Sequence, residues 1–232
     1  MKAHVSSKIS FLIPLVLASP FLAREDDGFK SIFDGKTLEG WEAPDMSYWS
    51  VEDGAITAES TEANPCTSNQ FLVWQGGDVA DFELKAKFRL AENRGNSGIQ
   101  FRSKIRSDGM GIGYQADILP SGPWCGALAE EYTDREPLMV PNGHKTVVDV
   151  DGKRTCTAVG EPVSLRKPGE WNEYHIIARG HHMILKVNGR VSAEFIDNDP
   201  KEFDPSGILG LQLRSGPAMK VQFKEILLKQ LP

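Results

Sequence analysis

The sequence predicts an all-β protein, a sandwich or a barrel. Short runs of residues alternate apolar and polar at period two, glycine-containing turn pairs separate those runs, and no long helical pattern competes with them. More than ten such runs can be marked, too many for a single open sheet with one solvated face.

In chain order, Phe29, Ile32 and Phe33 form a first apolar cluster, followed by the turn signal Asp34-Gly35. Trp49 to Ile56 is a hairpin with Asp53-Gly54 at its tip. Phe71 to Trp74 is a short strand and Asp81 to Ala91 a longer one. In the latter Phe82, Leu84, Ala86, Phe88 and Leu90 alternate with charged residues, a spacing that rules out a helix. Between Leu119 and Pro168 the regularity gives way to Pro and Gly punctuation, which predicts long loops over one end of a sheet. Strands resume at Glu170 to Ala178, His182 to Val187 and Arg190 to Phe195, with Asn188-Gly189 as a strong hairpin signal. Gly207 to Arg214 and Ala218 to Leu228 finish the series.

Composition narrows the function classes. The 232 residues carry a net charge of -6, with 40% hydrophobic and 25% charged content, which favours a folded chain and gives no electrostatic case for nucleic acid or an anionic membrane surface. Residues 1–23 read as an export signal, with Lys2 and Lys8 before the apolar run Ile9 to Ala18. That run is shorter than the about 20 residues of a membrane span. The expectation is a secreted or periplasmic protein with one domain over 24–232, a length routine for a single all-β unit. In such a compartment Cys125 and Cys156, which share the irregular region, are the expected disulfide, leaving Cys66 free. No CxxC spacing points to a cysteine metal site.

The stretch from Asn96 to Leu119 holds the site hypothesis. Strand alternation puts Ile99 and Phe101 on one side and Gln100 and Arg102 on the other. Likewise Gln115 and Asp117 lie opposite Tyr114, Ala116 and Ile118, and Gln212 and Arg214 lie opposite Leu211 and Leu213. If the three runs share a sheet, these polar rungs form a surface of amides and charges suited to a hydroxyl-rich ligand. The ordinary alternative is a solvated sheet face. The irregular region leaves directly from Asp117 and brings Trp124, Glu130, Glu131 and His144. His181 and His182 are strand neighbours that point to opposite faces and so cannot share a metal, and His175 is assigned a structural role.

The pieces FKSIFDGKTLEGW, WSVEDGAI, DFELKAKFRL, GNSGIQFRS, GYQADIL, GEWNEYHIIARG, LKVNGR and GILGLQLRSG, followed by VQFKEILLKQL, resemble in that order the 3-keto-disaccharide hydrolase domain family. The resemblance runs from Phe29 to Leu231. It implies a concanavalin A-like jelly roll, a β-sandwich of two curved antiparallel sheets with the ligand on the concave face. The implied activity is cleavage of glycosides already oxidised to a ketone at sugar carbon 3, by proton abstraction at C2, elimination at C1 and rehydration. That chemistry asks for a base, an acid and donors to a developing enolate. Asp117, Glu130 and Glu131 are the base and acid candidates, and Arg102 with Gln100 or Gln115 the enolate donors. Arg214, Gln212 and Asn96 are further binding groups, and Trp124 and Tyr114 the stacking surfaces. No cofactor is demanded by the spacing; a divalent metal polarising the ketone would draw on Asp117, Glu130 and His144. The implied partners are the oxidised sugar and an upstream sugar 3-dehydrogenase. A non-catalytic carbohydrate-binding module on the same scaffold is the alternative. An ordinary glycoside hydrolase with two carboxylates flanking the bond is a third reading, against which stands the absence of the Glu-x-Asp-x-x-Glu strand of jelly-roll glucanases.

Overall fold

The computed structural model describes residues 27–232 except Asn93 and Pro168, so the export signal expected over 1–23 lies outside the described residues. Among the described residues seventeen strands form. They are β1 (Lys30–Ser31), β2 (Trp41–Glu42), β3 (Trp49–Glu52), β4 (Ala55–Ser60), β5 (Gln70–Trp74) and β6 (Phe82–Leu90), then β7 (Ser97–Ile105), β8 (Gly111–Ile118), β9 (Leu128–Glu131), β10 (Leu138–Val140), β11 (His144–Val148) and β12 (Arg154–Ala158), and finally β13 (Asn172–Arg179), β14 (His182–Val187), β15 (Arg190–Asp197), β16 (Ile208–Leu213) and β17 (Met219–Gln230). They make two sheets. The ten-stranded sheet runs β12, β11, β15, β14, β13, β6, β17, β4, β3, with β1 added to β17, and the seven-stranded sheet runs β10, β9, β8, β7, β16, β5, β2.

The core lies between the sheets, and the alternation that predicted the strands delivers it. β6 buries every second residue along its length, from Phe82 to Leu90. Phe82 on β6 meets Phe101 on β7 edge to face, with ring centroids 5.9 Å apart, and Tyr114 on β8 meets Phe195 on β15 at 6.1 Å. These contacts lock one sheet onto the other in a jelly-roll sandwich. Among the described residues no helix is long and apolar enough to cross a membrane.

Both predicted hairpin turns form. Asp53-Gly54 joins β3 to β4 and Asn188-Gly189 joins β14 to β15, each pair with two consecutive positive φ angles. Gly189 has φ +79, and an added Cβ would touch nothing within 4 Å. Gly189→Ala is therefore expected to cost only the left-handed backbone penalty, about 1–2 kcal/mol. A thermal melt should fall by roughly 2–8 °C.

Three expectations change. The stretch from Leu119 to Pro168 is not a run of loops, because β9 to β12 lie in it; strands of three to five residues are too short to display a period between prolines. One of them, β11, pairs parallel with β15, so the larger sheet is not wholly antiparallel. The expected Cys125–Cys156 bridge does not form. Cys125 is buried, Cys156 is exposed on the outermost strand β12, and all three thiols are free.

Candidate active site

The polar rungs converge on the seven-stranded sheet. Gln100 on β7 stands opposite Gln115 on β8 and Gly210 on β16, Asp117 stands opposite Gly98, and Gln115 stands opposite Ala129 on β9. Directly paired residues share a face, so Gln100, Gln115, Asp117, Glu131 and Gln212 all turn away from the core into which Ile99, Ala116, Leu128 and Leu211 project. Beside them opens a cavity of about 670 Å³ whose lining includes Asn96, Asp117, Trp124, Glu131, Tyr132 and Arg214.

Two of the carboxylates on its lining, Asp117 and Glu131, share one amide. The Gln115 side-chain nitrogen lies 3.3 Å from Asp117 Oδ1 and 3.4 Å from Glu131 Oε1, so one amide bridges both acids. Burial pushes the Asp117 carboxyl up to about 8, with the Glu131 charge adding to the rise and Arg214 opposing it. Burial also raises Glu131. Arg214, with Nη1 at 3.6 Å from Oε1, pulls it back, helped by Gln212, whose amide faces it without making a hydrogen bond of ordinary geometry. At neutral pH Asp117 is thus held largely protonated, while Glu131 has a cation beside it that favours its ionised form.

The amides around these acids are buried with their valences open. Both polar atoms of Gln100, both of Gln212 and Oε1 of Gln115 have no hydrogen-bond partner among the described residues, and neither has Asn96 Oδ1 at the cavity edge. Buried polar atoms rarely stay unpaired, so this cluster on one face sets a polar floor beneath the cavity side of the sheet. Glycine keeps this arrangement open. A Cβ at Gly98 would sit 2.4 Å from Gln115 Cδ, so Gly98→Ala is expected to swing the bridging amide off both carboxylates. The loss of these two hydrogen bonds, at about 1.5–3 kcal/mol for one made to a charged group, should show as a roughly tenfold or greater drop in kcat/KM with little change in melting temperature.

Three of the expected site residues lie elsewhere, and a fourth, Glu130, is at the cavity edge but engaged in another network. Arg102 sits on a β-bulge, with φ +46 and register shifts on both sides of it, and the extra residue turns its side chain away from the Gln100 face. Its guanidinium is fully buried and donates to Ala80 O at 2.8 Å, Gly180 O at 2.7 Å and Asp81 Oδ1 at 2.9 Å. It clamps the two sheets and is not an enolate donor. Tyr114 points into the core, as its own alternation required, and its hydroxyl donates to Asp197 Oδ2 at 2.6 Å, so it offers no stacking face. Glu130 borders the cavity, but it is paired with Tyr114 in the ladder and its Oε2 lies 2.7 Å from Arg135 Nη2. Burial lifts it to about 7 against that arginine, within a network closed by Asp197. His144 is on the other sheet with Nδ1 at 2.9 Å from Asn142 O, so Asp117, Glu130 and His144 do not assemble. Among the described residues no three His, Cys, Asp or Glu side chains are grouped to hold a metal.

Fold and site together define a jelly-roll protein of the galectin and concanavalin kind, with a cavity lined by carboxylates beside its smaller sheet. The chain belongs to the 3-keto-alpha-glucoside-1,2-lyase-like domain family, whose model matches residues 28–229. It is 25% identical over 187 residues to a 3-keto-disaccharide hydrolase of Bacteroides thetaiotaomicron, a match that covers 75% of this chain and 46% of that protein, so the chain spans less than half the length of that relative. Among solved structures it is similar to a protein of Parabacteroides distasonis described as a "putative glycosyl hydrolase", with TM-score 0.59 and 20% identity over 88% of this chain and 94% of that one. It is also similar to the carbohydrate binding module CBM66 of Bacillus subtilis, with TM-score 0.53 and 13% identity over 82% and 96%. At these identities the structural likeness speaks for the fold.

Proposed function

We propose that this protein cleaves glycosides whose sugar carries a ketone at carbon 3. The observation that carries the reading is the pair Asp117 and Glu131, a buried and a partly buried carboxylate on one cavity, bridged by Gln115, with Arg214 closest to Glu131 and the Glu131 charge pushing the Asp117 carboxyl up further. In this reading the ketone acidifies the proton on C2, and ionised Glu131 removes it. The electron pair moves to the C3 oxygen as an enolate, which the guanidinium of Arg214 on the cavity lining receives. The enolate then re-forms the ketone, the C1–O bond breaks, and protonated Asp117 gives its proton to the departing oxygen. Water adds at C1 of the resulting enone and a proton returns to C2, so the net change is hydrolysis without an oxocarbenium ion. Family membership and the name of the Bacteroides relative support the substrate class. A sugar 3-dehydrogenase must then supply the ketone, and the export signal expected over 1–23 would place the reaction outside the cytoplasm.

Incubating the purified protein with 3-keto-trehalose or 3-keto-sucrose tests this directly. Release of the second sugar, accompanied by a transient enone absorbance that decays as water adds, is the expected result. Sugar binding without any turnover would make the protein a carbohydrate-binding module instead.

A further inference from the structure

We propose that Tyr132 is the platform on which the leaving group stacks, so that the cavity selects glycosides whose aglycone is itself a ring, a second sugar or an aryl group. The inference rests on the reading of the cavity as a glycoside-cleaving site and adds the subsite beyond C1.

Strand alternation predicts a different place for this residue. Glu130 points toward the other sheet and Glu131 toward the cavity, so a regular continuation would send residue 132 back inward beside Glu130. The backbone prevents that by adopting φ +57 at Tyr132, a left-handed conformation disfavoured for a bulky side chain. The consequence is plain in exposure: Glu130 is 1% exposed and Tyr132 is 50% exposed, the ring now lining the same cavity as Glu131. A half-exposed aromatic held in an unfavourable backbone state beside a carboxylate of the cavity asks for a partner.

Three further observations fit that partner to a ring. Tyr132 lies within the electrostatic reach of both Glu131 and Arg214, which puts it next to the reacting carboxylate. The cavity of about 670 Å³ corresponds to roughly twenty waters at about 30 Å³ each, room for a hexose and a second ring together. The loop after Tyr132 is not free to carry the ring away. Arg135 is fixed to Asp197 by two hydrogen bonds of 3.1 and 2.8 Å and to Glu130 at 2.7 Å, and its backbone nitrogen donates to Thr133 Oγ1 at 3.2 Å. An aromatic fixed in place before binding loses little freedom when a sugar face settles on it. Trp124, on the lining of the same cavity, is left for the oxidised ring.

Tyr132→Asn removes the ring while keeping a residue that tolerates positive φ, and Tyr132→Phe keeps the ring without its hydroxyl. On 3-keto-trehalose, Tyr132→Asn should raise KM roughly tenfold and Tyr132→Phe by less than about twofold. On methyl 3-keto-glucoside, whose leaving group has no ring, both variants should match the parent. Equal losses on the two substrates, or no loss on either, would overturn the assignment. If the parent turns over neither substrate, the glycoside-cleaving reading fails by itself, and the platform is then judged by calorimetric binding of trehalose against glucose. A preference for the two-ring sugar that Tyr132→Asn abolishes supports the platform, and no such preference in the parent refutes it.

Discussion

Replacing Asp117 by asparagine should lower kcat on a 3-keto disaccharide by about 10²- to 10⁴-fold, the usual contribution of a positioned proton donor, while leaving sugar affinity nearly intact. The amide keeps the shape of the carboxyl and its place beside Gln115, but it has no proton to give. The pH profile should separate this from a folding defect. Asp117 acts in its protonated form and is pushed to about 8, so the parent's kcat should fall as pH rises through about 8; the residual activity of Asp117→Asn should lack that limb. Stability should move the other way. A carboxyl whose folded pKa lies above its ordinary value of 3.8 favours the fold fully only below that value, and the contribution is lost as pH rises through about 8. Asparagine bears no such loss, so the variant should gain on the parent steadily between pH 4 and pH 8 in urea melts. A variant that is inactive and less stable at pH 8 would show that Asp117 is needed for structure, not for proton transfer.

Much of this was legible in the residues because period two needs only sequence. Phe82 to Leu90 and the Asn188-Gly189 turn could be read directly, and so could the shared face of Gln115, Asp117 and Gln212. Arg102 could not, because a β-bulge adds one residue to one strand and reverses the phase of the residues beyond it, and the sequence FRS carries no sign of it. Glu130 and Glu131 were separable in principle as strand neighbours with opposite faces, but only once β9 was known to be a strand, and its four residues lie between prolines. Tyr132 was hidden for a related reason. Its exposure comes from one backbone angle that breaks the alternation, not from the alternation itself.

Arg135→Met should produce the largest loss of stability. One guanidinium serves two buried carboxylates, Glu130 at 1% and Asp197 at 0% exposure, and the Tyr114 hydroxyl already donates a hydrogen bond to the second. Removing one member of a buried ion pair costs about 3–5 kcal/mol because the opposite charge is left behind. Here two are left, so a fall in melting temperature of about 10 °C or more is expected at pH 8. The deficit should shrink at pH 5. Burial has already lifted Glu130 to about 7 with the arginine present, so its protonation below that pH removes one of the stranded charges. Activity should suffer with stability even in the surviving folded fraction, since Arg135 also fixes the loop that carries Tyr132 at the cavity. A variant that melts within about 2 °C of the parent at pH 8 would mean that Glu130 and Asp197 find other partners. The wall of the cavity would then owe its position to the backbone of β9 and β10 alone.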